Sequence, residues 1–198
     1  MHDSASQGND CLTGGEESVP PQDEGYRERW ISTVEHTPVE GWDPPGPGAR
    51  LRFLRSARRV AMLGVSPKPE RPSNFVATYL ISSAAHFQVD FVNPAAPEVL
   101  GRPTYPSLAD LPEPPDIVDV FRAPEHCPEV AREAVEAGAS VLWLQLGIWS
   151  PEAARIALDA GLDVVMDRCL KVEHARFHGG LHLAGFDTGV VSSRRYGP

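Results

Sequence analysis

From Arg59 onward, short apolar runs alternate with segments of helical periodicity. VAMLGV (60–65) is an apolar run ended by a glycine, and FQVDFVNP (87–94) is a second, stopped by Pro94. DIVDVF (116–121), SVLWLQLG (140–147) and DVVMDRC (163–169) are a third, fourth and fifth. Short apolar runs bounded by turn residues are strand signals. Between the runs, NFVATYLISSA (74–84) sets Phe75, Val76, Tyr79 and Leu80 on one helical face. PEHCPEVAREAVEAGA (124–139) turns Val130, Ala131, Ala134 and Val135 inward, with Gly138 near its end. SPEAARIALDAGL (150–162) starts with Ser150 as N-cap and Pro151 at the first helical position. A short helix over Ala49–Ala57 leads into the first strand.

Strands that alternate with helices and are apolar almost throughout predict a parallel sheet covered on both faces. Right-handed crossovers then give an α/β, doubly wound, Rossmann-like fold of about five strands in a single domain. The expected strand order is 3-2-1-4-5, with the switch point between strands 1 and 4. The proline-rich stretch Ala95–Pro115 fits this scheme least well and is expected to hold one turn of helix at Ser107–Leu111.

Residues 1–49 read differently. They are rich in Gly, Pro, Asp, Glu and Ser and end in GWDPPGPGAR. The run Pro44–Pro47 suits neither a helix nor a central strand. A disordered N-terminal arm is expected over 1–49, within which Tyr26, Trp30, Ile31 and Val34 offer a short docking segment. The domain is expected over 50–177 and a C-terminal tail over 178–198.

The net charge of −9 makes general nucleic-acid binding a poor expectation. No apolar run approaches the roughly 20 residues a membrane helix needs. The N-terminus lacks a signal-peptide pattern. Cys11, Cys127 and Cys169 are widely spaced, with no metal-ligand pattern, so reduced thiols in a cytoplasmic protein are expected.

In an open parallel sheet, ligands bind beyond the C-terminal ends of the strands. The loops there carry Ser66, Lys68, Arg71, Asn93, Arg122, Gln145, Arg168 and Lys171. Five of these eight are cationic in an acidic chain, which points to an anionic ligand, phosphate above all. Ser73 stands where it can cap the first long helix, whose free N–H groups favour an anion. The turn itself reads Gly64-Val65-Ser66-Pro67-Lys68-Pro69, with Ser66 where a dinucleotide fingerprint has its second glycine. The second strand ends in Val92-Asn93-Pro94, without the acidic residue that holds a ribose in that fingerprint. Both features argue against the usual NAD mode.

Several motifs follow one another at short spacing: Gly64-Val65-Ser66, Pro69-x-Arg71-Pro72-Ser73, VNP (92–94), Glu98-Val99-Leu100-Gly101, YPSLADLP (105–112), DIVDVFR (116–122), VLWLQLG (141–147) and AGLDVVMDRCLKVEH (160–174). Over about residues 50–177 the chain resembles the small bacterial CoA-binding proteins. These are similar to the CoA-binding domain at the N-terminus of the succinyl-CoA synthetase alpha subunit. The resemblance implies coenzyme A or an acyl-CoA as ligand, held at Gly64, Val65, Ser66, Asn93, Pro94, Phe121 and Arg122. Arg71 is a further candidate for a phosphate of the ADP part, with Lys68, Ser73 and Gln145 nearby in the loops. The synthetase has a second domain with a phosphorylated histidine. Here His178-Gly179-Gly180 lies in a short tail and is read as tail.

No catalytic residue is assigned. Cys169, beside Arg168 and Lys171, is a candidate for CoA-thiol or disulfide processing, set against a small residue closing the last strand. An NAD(H)- or adenine-nucleotide-sensing regulator is the third reading. Glu173 and His174 are adjacent on a helix and point apart, so packing roles are expected. Asp116 and Asp119 flank the third run, where one braces a loop. Trp143 and Trp149 offer surface for a homodimer.

Overall fold

The computed structural model describes residues 36–82 and 86–178. The candidate docking segment at Tyr26–Val34 and the tail beyond His178 lie outside the described residues. Seven strands form one sheet: β1 (Arg59–Leu63), β2 (Gln88–Val92), β3 (Glu98–Val99), β4 (Arg102–Tyr105), β5 (Ile117–Val120), β6 (Val141–Leu144) and β7 (Asp163–Val165). Among the described residues, five α-helices accompany them: α1 (Pro47–Ser56), α2 (Pro72–Ser82), α3 (Cys127–Glu136), α4 (Pro151–Asp159) and α5 (Leu170–His178). Short 3-10 turns stand at Leu108–Asp110 and Pro124–His126.

The sheet order is β3-β4-β2-β1-β5-β6-β7. All pairings are parallel except the β3–β4 hairpin at the edge. This corrects the strand count from about five to seven, and it corrects the order. The run at 116–121 is β5 and pairs with β1, with Met62 opposite Asp119. The place beyond β2 belongs to β4, a strand the sequence reading missed in the proline-rich stretch. Once β4 is counted third, the order is that of a doubly wound sheet, and the switch point falls between β1 and β5. The turn Leu100-Gly101 closes the β3–β4 hairpin with both residues at positive φ, as two-residue hairpin loops favour.

Side chains alternate across the sheet and feed two cores. Ala61, Leu63, Val118, Val120, Leu142 and Leu144 face α3 and α4, which contribute Val130, Ala131, Ala134, Ala153, Ala154 and Ala157. Val60, Met62, Phe91, Ile117 and Trp143 face α1, α2 and α5, which contribute Leu54, Val76, Ala77, Leu80, Leu170 and Phe177. Trp143 has no exposed surface, which removes it as dimer surface. Its indole N–H donates to the Arg168 carbonyl (2.8 Å). Ser150 caps α4 by accepting from the Ala153 amide (3.4 Å), as its sequence position predicts.

The second core carries a buried ion pair. Arg50 on α1 pairs with Glu173 on α5 (2.7 Å), and both are more than nine-tenths buried. His174 meets the Tyr79 hydroxyl (3.0 Å). Glu173 and His174 thus serve packing, as their opposed directions predict. Asp116 accepts from the amides of Arg58 and Arg59 (2.7 and 2.9 Å) and braces the entry to β1.

Part of the presumed arm packs on the body. His36 stacks on Trp149 (ring centroids 4.1 Å apart) and reaches Asp167 (2.9 Å). The Trp149 indole donates to the Thr37 carbonyl (3.0 Å), and Val39 is buried against the α3–α4 core. Residues 36–49 therefore belong to the domain's packing, because an apolar anchor and a stacked ring hold them there. Among the described residues no helix is long and apolar enough to cross a membrane.

Candidate functional site

The site begins with a strand that must end in glycine. Gly64 follows β1 with φ +87°, a conformation that L side chains rarely adopt. A Cβ there would lie 2.5 Å from the Phe121 carbonyl oxygen, the backbone that follows the neighbouring strand β5. The two chain segments that leave the sheet on either side of the switch point are thus in backbone contact. The Gly64 amide donates to the Val92 carbonyl (2.8 Å) and the Phe121 amide to the Leu63 carbonyl (2.9 Å), so β2, β1 and β5 end in register.

Beyond Gly64 the turn is held by side chains. The Ser66 amide donates to the Ser73 hydroxyl (3.0 Å), and the Asn74 side-chain amide donates to the Ser66 carbonyl (3.0 Å). The Lys68 amide donates to the Ser66 hydroxyl (3.2 Å). Asn93 donates to the Val65 carbonyl (2.7 Å) and accepts from the Ala95 amide (2.9 Å). Ser73 therefore does not cap α2, which starts one residue earlier at Pro72. Its hydroxyl reaches back to the turn, because as the second helical residue it faces the loop that precedes it. Val65 is fully buried.

An open cleft of about 250 Å³ lies beside this turn. Its floor is Leu63 and Val92, and Pro94, Pro106 and Ser107 form one side. Arg122, His126, Glu129 and Glu133 form the other. Of the residues expected to bind, Pro94 and Arg122 line the cleft, while Gly64, Val65, Ser66, Ser73 and Asn93 build the turn next to it. Lys68 and Arg71 are exposed on the loop leading to α2. Phe121 contributes its backbone, in contact with Gly64.

Gln145 is placed elsewhere. It is buried, and its side chain donates to Asp119 (2.6 Å) inside the sheet rather than facing a ligand at the edge. Burial pushes the Asp119 carboxyl up to about 8, opposed by the Gln145 hydrogen bond. The wall from Pro106 through Glu133 was not foreseen. Its one local signal is the S-x-x-D pattern at Ser107–Asp110, which closes a capping box that fixes the turn beside the cleft. Burial and the neighbouring Glu129 raise the Glu133 carboxyl, while Arg122 lowers it.

Among the described residues, Cys127 and Cys169 are poorly set for thiol chemistry. Burial pushes the Cys127 thiol up to about 12, and burial is also the main cause that raises Cys169. Arg168 is turned to the Asp167 carbonyl (2.8 Å) and Lys171 to the Phe75 ring (3.5 Å from its centroid). Among the described residues no group of three or more His, Cys, Asp or Glu is arranged to hold a metal ion.

Residues 58–175 match the family model described as a CoA binding domain. An uncharacterized protein of Bacillus subtilis, YneT, is 38% identical over 123 residues, which are 62% of this chain and 90% of the relative. A hypothetical protein of Pyrococcus horikoshii superimposes with a TM-score of 0.65 at 37% identity, over 74% of this chain and 99% of its own. A dinucleotide-forming acetyl-coenzyme A synthetase of Candidatus Korarchaeum cryptofilum shares the fold, with a TM-score of 0.50 at 22% identity. That match spans 55% of this chain and 26% of the synthetase. The match over 58–175 includes the Gly64 turn and the cleft beside it, and the chain belongs to the family of CoA-binding domains.

Proposed function

We propose that this chain binds coenzyme A or an acyl-CoA at the switch point between β1 and β5. The nucleotide end occupies the cleft against Pro94 and Arg122, and the diphosphate lies across the Gly64–Ser66 turn. Lys68 and Arg71 pair with phosphate oxygens from the exposed side of that loop. The observation that carries this reading is the Gly64–Phe121 contact. It brings two strand ends together where no side chain fits, so a ligand can approach backbone closely, next to a cleft that holds Arg122. The turn differs from a dinucleotide turn in having Ser66 tied to Ser73, which favours CoA over NAD(H).

The role is binding rather than catalysis, in a cytoplasmic setting. A thiol-processing enzyme using Cys169 is the weaker reading, because burial leaves that thiol with little thiolate at neutral pH. Calorimetric titration of the full chain with CoA, with NADH in competition, tests the proposal. One CoA per chain that NADH does not displace supports it. Folded protein that gives no CoA binding contradicts it.

A further inference from the structure

Among the described residues, four large apolar side chains are markedly exposed: Phe75 (62%), Leu146 (43%), Val172 (40%) and Leu100 (39%). Leu100 belongs to the hairpin turn at the far sheet edge. The other three share one address, just past the C-terminal ends of strands. Phe75 is in the first turn of α2, its amide donating to the Arg71 carbonyl (3.3 Å). Val172 is in the first turn of α5, and Leu146 follows β6 by two residues. Lys171, next to Val172, sets its ammonium 3.5 Å from the Phe75 ring centroid and 5.6 Å from that of Tyr79. The starts of α2 and α5 are thereby bridged through Phe75, and Val172 follows Lys171 in the chain.

The hydrophobic core does not draw on these side chains. The core face of α2 is already supplied by Val76, Ala77 and Leu80, and that of α5 by Leu170 and Phe177. One exposed apolar residue calls for no explanation, but several at one edge mark a contact surface. This edge also carries Arg71 and Lys68, four and seven residues before Phe75. A ligand anionic at one end and apolar at the other matches both features, whereas free CoA, which ends in a polar arm, leaves the apolar part uncovered.

We infer that Phe75 and Val172, beside Lys171, form a subsite for an aliphatic acyl chain, so that the favoured ligand is an acyl-CoA with an apolar acyl group. The inference rests on the CoA reading above. The phosphates stay at the Gly64–Ser66 turn, and the thioester arm crosses the start of α2 onto this surface.

The test titrates the full-length protein with CoA, succinyl-CoA and octanoyl-CoA, and repeats the series with Phe75→Ser and Val172→Ser. Octanoyl-CoA is expected to bind at least about tenfold tighter than CoA, the worth of roughly two buried methylenes. Phe75→Ser is expected to remove most of that gain while leaving CoA affinity unchanged. Equal affinity for CoA and octanoyl-CoA, a gain kept by both variants, or a preference for succinyl-CoA overturns the subsite while the CoA reading stands. Absence of binding for all three ligands overturns both. Sedimentation of the same samples covers the other occupant: a dimer that Phe75→Ser dissolves would assign the surface to a second copy of the chain and overturn the inference.

Discussion

Gly64 and Phe121 meet backbone to backbone: a Cβ on Gly64 would stand 2.5 Å from the Phe121 carbonyl oxygen and 3.4 Å from Arg122 Cδ. The positive φ and the close carbonyl act together, so the position admits glycine alone. Gly64→Ala is expected to destabilise the fold by at least about 2 kcal/mol, from left-handed backbone strain plus displacement of the β5 exit. Urea denaturation measures it. The same variant is expected to lose CoA binding even where it remains folded, since the Phe121 backbone must shift and Arg122 follows it in the chain.

Arg122 and Arg71 differ in setting and so in expected effect. Arg122 is partly buried and lines the cleft, whereas Arg71 is exposed on the loop. Arg122→Ala is expected to weaken CoA binding by about tenfold or more, the worth of one charge-assisted hydrogen bond. Arg71→Ala is expected to cost less and to lose its effect at high salt, where exposed charges are screened. Calorimetry at two ionic strengths separates the two.

Asp119 gives the fold a pH dependence with a defined sign. Its carboxyl is raised from 3.8 to about 8 in the folded chain, chiefly by burial. Between those values the folded state holds a proton that the unfolded state has released. Stability from this group is therefore full below about pH 4 and is lost as pH rises toward 8. Asp119→Asn keeps the Gln145 hydrogen bond and removes the titration. The variant's stability relative to the wild type is expected to rise across that window, by at most about 1.4 kcal/mol per pH unit. A difference that stays flat with pH in denaturation series would show that Asp119 is ionised in the folded chain.

The Arg50–Glu173 pair joins α1 to α5 in the second core. Glu173→Gln leaves a buried guanidinium without its counter-charge, though the Pro45 carbonyl still accepts from Arg50. The expected cost is about 3 kcal/mol or more, with CoA affinity unchanged in the fraction that remains folded. Thermal denaturation with and without ligand checks both halves.

Much of the architecture was written in local pattern. VAMLGV, FQVDFV, DIVDVF and SVLWLQ are buried on both faces and so read as apolar runs whatever their neighbours. β4 escaped because its residues, Arg102–Tyr105, include a proline and stay partly exposed beside a two-residue edge strand. Missing that strand displaced the order, since the partner of β5 is set by which strand fills the place beyond β2. The turn at Gly64 is legible because a glycine closing an apolar strand points to a left-handed backbone there, and its φ is +87°. The direction of Gln145 is not legible, because it depends on Asp119, a buried acid on the neighbouring strand that takes its donor. The Pro106–Glu133 wall was illegible because its residues come together only through the fold.

The most direct test of the central claim is calorimetric titration of the full chain with CoA, run for the wild type and for Arg122→Ala. The account expects one CoA per wild-type chain, with a dissociation constant well below about millimolar, and at least about tenfold weaker binding by the variant. A wild-type chain that is folded and binds no CoA, or a variant that binds it unchanged, would contradict the account.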